Sequence, residues 1–188
     1  MQELSPTIRL DSIQTRISVS KGKAKQLMET CVWCLLYCDH SNGVRLNVED
    51  DGTSLEYSVV WPTENLDIEA IIRSYNKSDA IEDGAEAIAL LVSIERTEYN
   101  CVERAITSTG IDYWLGFKER NPNYPFHRAS RLEISGIMSE NENNTVRSRI
   151  RQKLNQTKLS DYTSFPVYVI IVEFSKPYAI MVVKNVNS

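Results

Sequence analysis

Nowhere does the chain hold the roughly 20 consecutive apolar residues that a bilayer-spanning helix needs. Its longest apolar runs, Cys31–Cys38 and Val167–Val172, stop far short of that. The opening Met1-Gln2-Glu3-Leu4-Ser5-Pro6 has no basic stretch followed by an apolar one. No secretory signal is therefore expected, and the cytoplasm is the expected location, with no membrane partner. Bulk positive charge is missing as well. The net charge of −4 argues against a protein that coats nucleic acid by overall charge, while leaving room for a local basic groove. Histidine is scarce: His40 and His127 stand alone in loop-like segments, and no role follows for either. Internal repeats, low-complexity tracts and linkers are absent, so 188 residues should build one domain, 1–188, around one core.

Cysteine is sparse but clustered. Cys31-x-x-Cys34-x-x-x-Cys38-x-His40 has the outline of a zinc cluster. Leu27, Cys31, Cys34, Leu35 and Cys38, however, recur at helical spacing on one apolar side. Cysteine packs there as a small hydrophobe, and structural zinc sites usually join a knuckle to distant ligands. The three are read as core, and in a reducing compartment no disulfides are expected.

Ile8–Val19 alternates weakly and reads as a strand. Lys21–Asp39 reads as a helix, capped by Ser18 or Ser20 and stopped by Ser41-Asn42-Gly43. Val44–Glu49 and Ser54–Trp61 form a hairpin around Asp50-Asp51-Gly52, closed by Pro62. Leu66–Tyr75 is a short helix and 76–79 a loop. Asp79 and Glu82 have capping-box spacing, opening a helix with Ile81, Ala85, Ile88, Ala89 and Val92 on one face and an end near Thr97. Strands follow at Tyr99–Ile106, Ile111–Phe117 and Ala129–Met138, separated by the turn Thr107–Gly110 and the proline-bearing loop Asn121–Pro125. A helix over Thr145–Thr157, with Val146, Ile150 and Leu154 on its apolar side, leads to strands Val167–Phe174 and Tyr178–Val183. Residues 1–62 read as a β-α-β-β extension layered onto a core at 79–184.

Two carboxylates carry the chemistry. Asp112 opens a strand directly after a turn, and Glu133 sits within a facing strand. Such a pair can grip one divalent cation. The plainer alternatives are a turn residue for Asp112 after Gly110 and an exposed strand residue for Glu133. Residues 118–158 are also basic, with Lys118, Arg120, Arg128, Arg131, Arg147, Arg149, Arg151, Lys153 and Lys158 set against four glutamates. Such a segment could track a phosphate backbone or be a solvated face.

The order helix, strand, strand, strand, helix, strand from Asp79, with acids on the first helix, at the second strand and within the third, resembles the PD-(D/E)XK nuclease superfamily. The resemblance covers about residues 79–184. It implies an α/β fold with a mixed central sheet of restriction-endonuclease-like type flanked by helices. It further implies a Mg²⁺- or Mn²⁺-dependent nuclease acting on nucleic acid, DNA before RNA. Asp112 and Glu133 match the metal-binding acids, and Glu86 or Glu82 the helix acid, although Glu82 also reads as a cap and Glu86 as a solvated residue. Proteins of this kind belong to restriction or anti-phage defence systems, as homodimers or in larger complexes. Where the family carries lysine, two residues after the second acid, this chain has Ser135. A hydroxyl cannot supply that charge, so another cation must. Lys153 or Arg147 is expected before Lys118, with Arg131, Arg149 and Arg151 as further nucleic-acid contacts. The alternative is a catalytically inactive nuclease-like subunit that binds nucleic acid or a partner protein.

Overall fold

Side-chain alternation along one strand sorts the two layers of this molecule. The computed structural model describes residues 5–64, 66–119, 122–124 and 126–186. In β6 (Ser130–Ile137), Leu132 and Ile134 enter the main core, whereas Ile137 belongs to a second cluster with Val146, Val169 and Ile171. Odd and even positions thus face opposite sides of a sheet that is covered on both.

Among the described residues the sheet has eight strands, in the order β1-β3-β2-β8-β7-β6-β5-β4. These are β1 (Thr7–Arg9), β2 (Val44–Asp50), β3 (Thr53–Val60), β4 (Tyr99–Arg104), β5 (Tyr113–Phe117), β6, β7 (Val167–Glu173) and β8 (Tyr178–Lys184). It is mixed. β4, β5 and β6 run as an antiparallel meander, β6 and β7 are parallel, and β7 and β8 are antiparallel. The first sixty residues extend this same sheet, because β2 pairs in parallel with β8.

The helices are α1 (Ile13–Arg16), α2 (Lys21–Tyr37), α3 (Ile68–Ser74), α4 (Lys77–Arg96) and α5 (Val146–Gln156). Helix α4 is buried from Gly84 to Ile94 on nearly every side, as expected of a helix apolar all round. It packs against β6 and β7 on one side and α2 on the other. Leu27, Cys31 and Cys34 of α2 lie in that core. Burial pushes the Cys31 and Cys34 thiols up, away from reactivity. Helix α5 covers the opposite face, resting Val146, Ile150 and Leu154 on Val169 and Ile171. Among the described residues no helix is long and apolar enough to cross a membrane.

Two local expectations change. The strand expected over Ile8–Val19 is three residues long, followed by a 3₁₀ turn and α1. Buried Leu10, Ile13 and Ile17 recur at intervals of three and four, the spacing of a helical face. Helix α4 begins at Lys77, not after Asp79. Asn76 is its cap, its Oδ1 accepting from the Asp79 backbone amide at 3.0 Å while its side-chain Nδ2 donates to the Asp79 carboxylate at 2.7 Å. Of the expected loop and basic segment, Arg120, Asn121 and Pro125 lie outside the described residues.

Candidate active site

The β5–β6 ladder stops early, and a cleft opens there. Its last pair is Tyr113 with Leu132, after which β6 continues to Ile137 bonded to β7 alone. Asp112 sits at the fork. Its amide donates to Leu132 O at 2.9 Å, and its Oδ2 accepts from Ile134 N at 2.8 Å. The carboxylate thereby takes the place of the next strand partner and is fixed in direction.

Two glycines bring the walls together. A Cβ at Gly136 would stand 2.4 Å from Ile81 O, so only glycine lets α4 cross β6 this closely. Gly110, at φ +76°, rests against Gln156 O, where a Cβ would approach to 2.2 Å, tying the turn before Asp112 to the end of α5. The resulting cavity holds about 230 Å³ and is lined by Glu82, Asp83 and Glu86 of α4, Arg104, Asp112, Ile134 and Ser135, and Arg149 and Lys153 of α5.

Glu133 lies beside this cavity, 1 % exposed. Lys153 Nζ donates to its Oε1 at 2.5 Å, while its Oε2 is buried with no hydrogen-bond partner among the described residues. Burial first, and the neighbouring Asp112 carboxylate second, which also accepts a hydrogen bond from the protonated acid, push the Glu133 carboxyl up to about 8, with Lys153 pulling the other way. A buried carboxylate oxygen without a partner is costly and is the donor a hard cation seeks. Asp112 and Glu133 are thus the two carboxylates that a divalent cation in this cleft would meet, Glu133 only in its ionised form. No group of three or more His, Cys, Asp or Glu is arranged for a metal among the described residues. Such an ion would keep much of its shell as water, as Mg²⁺ ordinarily does.

The other expected site residues divide. Lys153, Ser135 and Arg149 border the cleft, with Arg149 Nη2 donating to Asn144 Oδ1 at 2.8 Å. Glu82 lies exposed at its rim. Glu86 is not a ligand in waiting. Its carboxylate accepts from the Tyr113 hydroxyl and from Arg104 Nη1 at 3.2 Å, with Lys23 Nζ at 3.4 Å, so three donors already compete with any cation. Burial and the Glu86 charge in turn push the Tyr113 phenol up, keeping it a donor. Arg131 cannot touch nucleic acid. It is fully buried, bonding Phe165 O through Nε and Nη2 and Thr157 O, Ser160 Oγ and Asp161 Oδ1 through Nη1. Arg147 lines a different hollow, with Glu49, Glu140 and Glu173, and so does not supply the missing charge at Glu133. Arg151 is exposed on α5. Lys118 holds the end of α4, donating to Ile94 O and Thr97 O at 2.6 Å each.

Arg104, Tyr113, Lys23 and Asp83 were not singled out by the sequence reading. Their only sequence signal was the place of Arg104 and Tyr113 on either side of the turn that delivers Asp112. No protein-family model matches the chain, and no curated protein is significantly similar to it in sequence.

Proposed function

We propose that this protein is a metal-dependent nuclease of the restriction-endonuclease-like kind, hydrolysing phosphodiester bonds in DNA at the Asp112–Glu133 cleft. The observation that carries this reading is the buried, half-partnered Glu133 beside Asp112, with a lysine from α5 on its other oxygen. The succession α4, β4, β5, β6, α5, β7, with the acids at the head of β5 and within β6, supports it as well.

Asp112 and Glu133 would hold Mg²⁺ or Mn²⁺. When bound, such an ion polarises the phosphate and acidifies a water. The chain's own residues do the rest. The Ile134 amide keeps the Asp112 carboxylate aimed into the cleft. Lys153 supplies the ammonium that Ser135 cannot, a fixed positive charge for the phosphate oxygens as negative charge grows on them. The apolar packing of α5 on β7 holds Lys153 at that point. Arg149 adds a second cation at the rim.

The test is a cleavage assay on plasmid and short single-stranded DNA with Mg²⁺, Mn²⁺ and EDTA. Cutting should need the ion and vanish in Asp112→Asn and Glu133→Gln, each of which removes a charge while keeping shape. Cutting that persists in EDTA or in Asp112→Asn sinks the reading. A second reading draws on the Lys153–Glu133 pair itself, in which the ammonium already neutralises a ligand: an inactive nuclease-like subunit that binds nucleic acid or a partner protein. Mn²⁺ binding by calorimetry with no cutting of any substrate would select it.

A further inference from the structure

The cleft does not end at Asp112. Next to it lies a second hollow of about 370 Å³, lined by Ser18, Val19, Ser20, Lys23, Arg104 and Tyr113, and Arg104 borders both. Its guanidinium is fixed from behind. Nη1 donates to Glu86 Oε2 at 3.2 Å and to the Tyr113 hydroxyl at 3.2 Å, and the group lies 5.4 Å from the centre of the Tyr113 ring. Its Nε and Nη2 make no hydrogen bond among the described residues, and the side chain is 59 % exposed. The carboxylates behind it are deeper, at 8 % for Glu86 and 18 % for Asp83. From the Ser18–Lys23 hollow, whose described lining holds no acid, an approaching anion therefore meets the cation first. An arginine held at one nitrogen, with the remaining fork turned outward, is organised in advance for two parallel bonds to a phosphate. Lys23 Nζ stands beside it, 2.7 Å from Asp83 Oδ1 and 3.4 Å from Glu86 Oε1.

Lys153 and Arg149 serve the cleft itself, and the hollow beyond them on α5 is a poorer continuation. There Arg147 and Lys176 stand among Glu49, Glu140 and Glu173, whereas the Ser18–Lys23 hollow has no acid among the described residues of its lining.

We propose that Arg104, backed by Lys23, grips a backbone phosphate of the DNA strand next to the scissile one. The strand then leaves the cleft across the Ser18–Lys23 hollow and not along α5. This rests on the nuclease reading and adds the course of the substrate to it.

The test uses full-length Asp112→Asn protein in EDTA, which binds without cutting, and a short fluorescein-labelled single-stranded DNA read by anisotropy over a salt series. Adding Arg104→Gln should weaken binding about tenfold and lower the slope of log K against log salt by about 0.7, the release expected for one phosphate contact on a single strand. Arg104→Lys should restore the slope and only part of the affinity, because it returns the charge without the fork. Lys23→Gln should act in the same direction with a smaller loss, which keeps the test open should Arg104→Gln fold poorly. Arg147→Gln and Arg151→Gln should change neither quantity beyond about twofold. In the cutting protein, Arg104→Gln should raise KM about tenfold with kcat within about twofold.

Unchanged affinity and slope in both Arg104→Gln and Lys23→Gln overturn the proposal, as does a loss that appears in Arg147→Gln or Arg151→Gln instead. If the protein cuts DNA and only these binding results fail, the strand path is wrong and the nuclease reading stands. If the unmutated chain neither binds nor cuts DNA, both fall.

Discussion

Arg131 and Glu133 stand two residues apart on one face of β6, with 0 % and 1 % of their surface exposed. Both are charged residues in places where charge is costly. Arg131 is fully provided for. All three of its guanidinium nitrogens are bonded to carbonyls, a hydroxyl or a carboxylate in residues 157–165, and Asp161 is shared with Lys184 at 2.6 Å. Lys184 and then Arg131 hold the Asp161 carboxyl below its usual range. Glu133 has one oxygen bonded to Lys153, while the other has no donor among the described residues and faces the like charge of Asp112, to which it hydrogen-bonds only when protonated. A completed network fixes structure. An incomplete one, kept at a fork in the sheet, is free energy left available for a ligand.

The largest effect should come from breaking the completed member. Arg131→Met should cost about 3–5 kcal/mol of stability, because it leaves buried acceptors without their donor. Urea unfolding in EDTA at neutral pH measures it. Glu133→Gln in the same experiment should leave stability unchanged or raised. If Glu133→Gln costs as much as Arg131→Met, the two sites are alike and the contrast fails.

Next in size is the activity carried by Lys153. Lys153→Met should lower kcat by about 10²–10³, the scale of losing one fixed charge stabiliser at a transition state. The folded chain should survive, since Glu133 can take up a proton once its cation is gone. A thermal midpoint that collapses together with the activity would make Lys153 a structural partner only, as Asp161 is for Arg131.

Helix geometry decides between Lys153 and Arg147, the two alternatives for a cation beside Glu133. Residues four apart share a face of a helix. Lys153 therefore travels with Arg149 toward the cleft, and Arg147 travels with Arg151 away from it. That rule was available in the sequence, and it sends the two alternatives to different sides of α5. The strands after α2, and the places of Asp112 and Glu133 at the head of β5 and within β6, were readable because turn chemistry and alternation are local. The burial of Arg131 was not. Its partners lie 26–34 residues onward, in the 3₁₀ helix Thr157–Thr163 and the loop after it, and an arginine between Ser130 and Leu132 has the pattern of any exposed strand residue. Glu86 was hidden for the same reason: its donors come from α2, β4 and β5, which only the folded chain brings together.

A smaller effect, with a definite sign, follows from pH. The Glu133 carboxyl rises from an ordinary value near 4.5 to about 8 on folding. Between those values the folded chain holds a proton that the unfolded chain has released. Its contribution to stability is therefore complete below about pH 4.5, declines as pH rises, and is gone above about 8. Denaturant titrations of the metal-free protein at several pH values should show Glu133→Gln losing less stability across that window than the unmutated chain. Parallel curves would mean that Lys153 neutralises Glu133 fully. In that case Glu133 would be as completely partnered as Arg131.

The smallest effect is expected at Ser135. Its side chain is half-buried at the cleft wall, and no hydrogen bond joins it to the described residues. Removing an unbonded hydroxyl from such a position ordinarily changes stability by less than about 0.5 kcal/mol. Ser135→Ala should accordingly leave the cutting rate within about threefold. The informative partner is Ser135→Lys in the Lys153→Met background. Ser135 shares its strand face with Glu133, so a lysine there brings an ammonium to the same carboxylate from the strand instead of from α5. Its longer side chain must find room between Asp112 and Arg149, so a partial recovery, about tenfold over Lys153→Met alone, is the expected rate. Recovery would show that the charge matters and its point of attachment does not. A Ser135→Ala variant that loses activity as completely as Lys153→Met would instead make the hydroxyl a working group, and the division of labour between β6 and α5 argued above would be wrong.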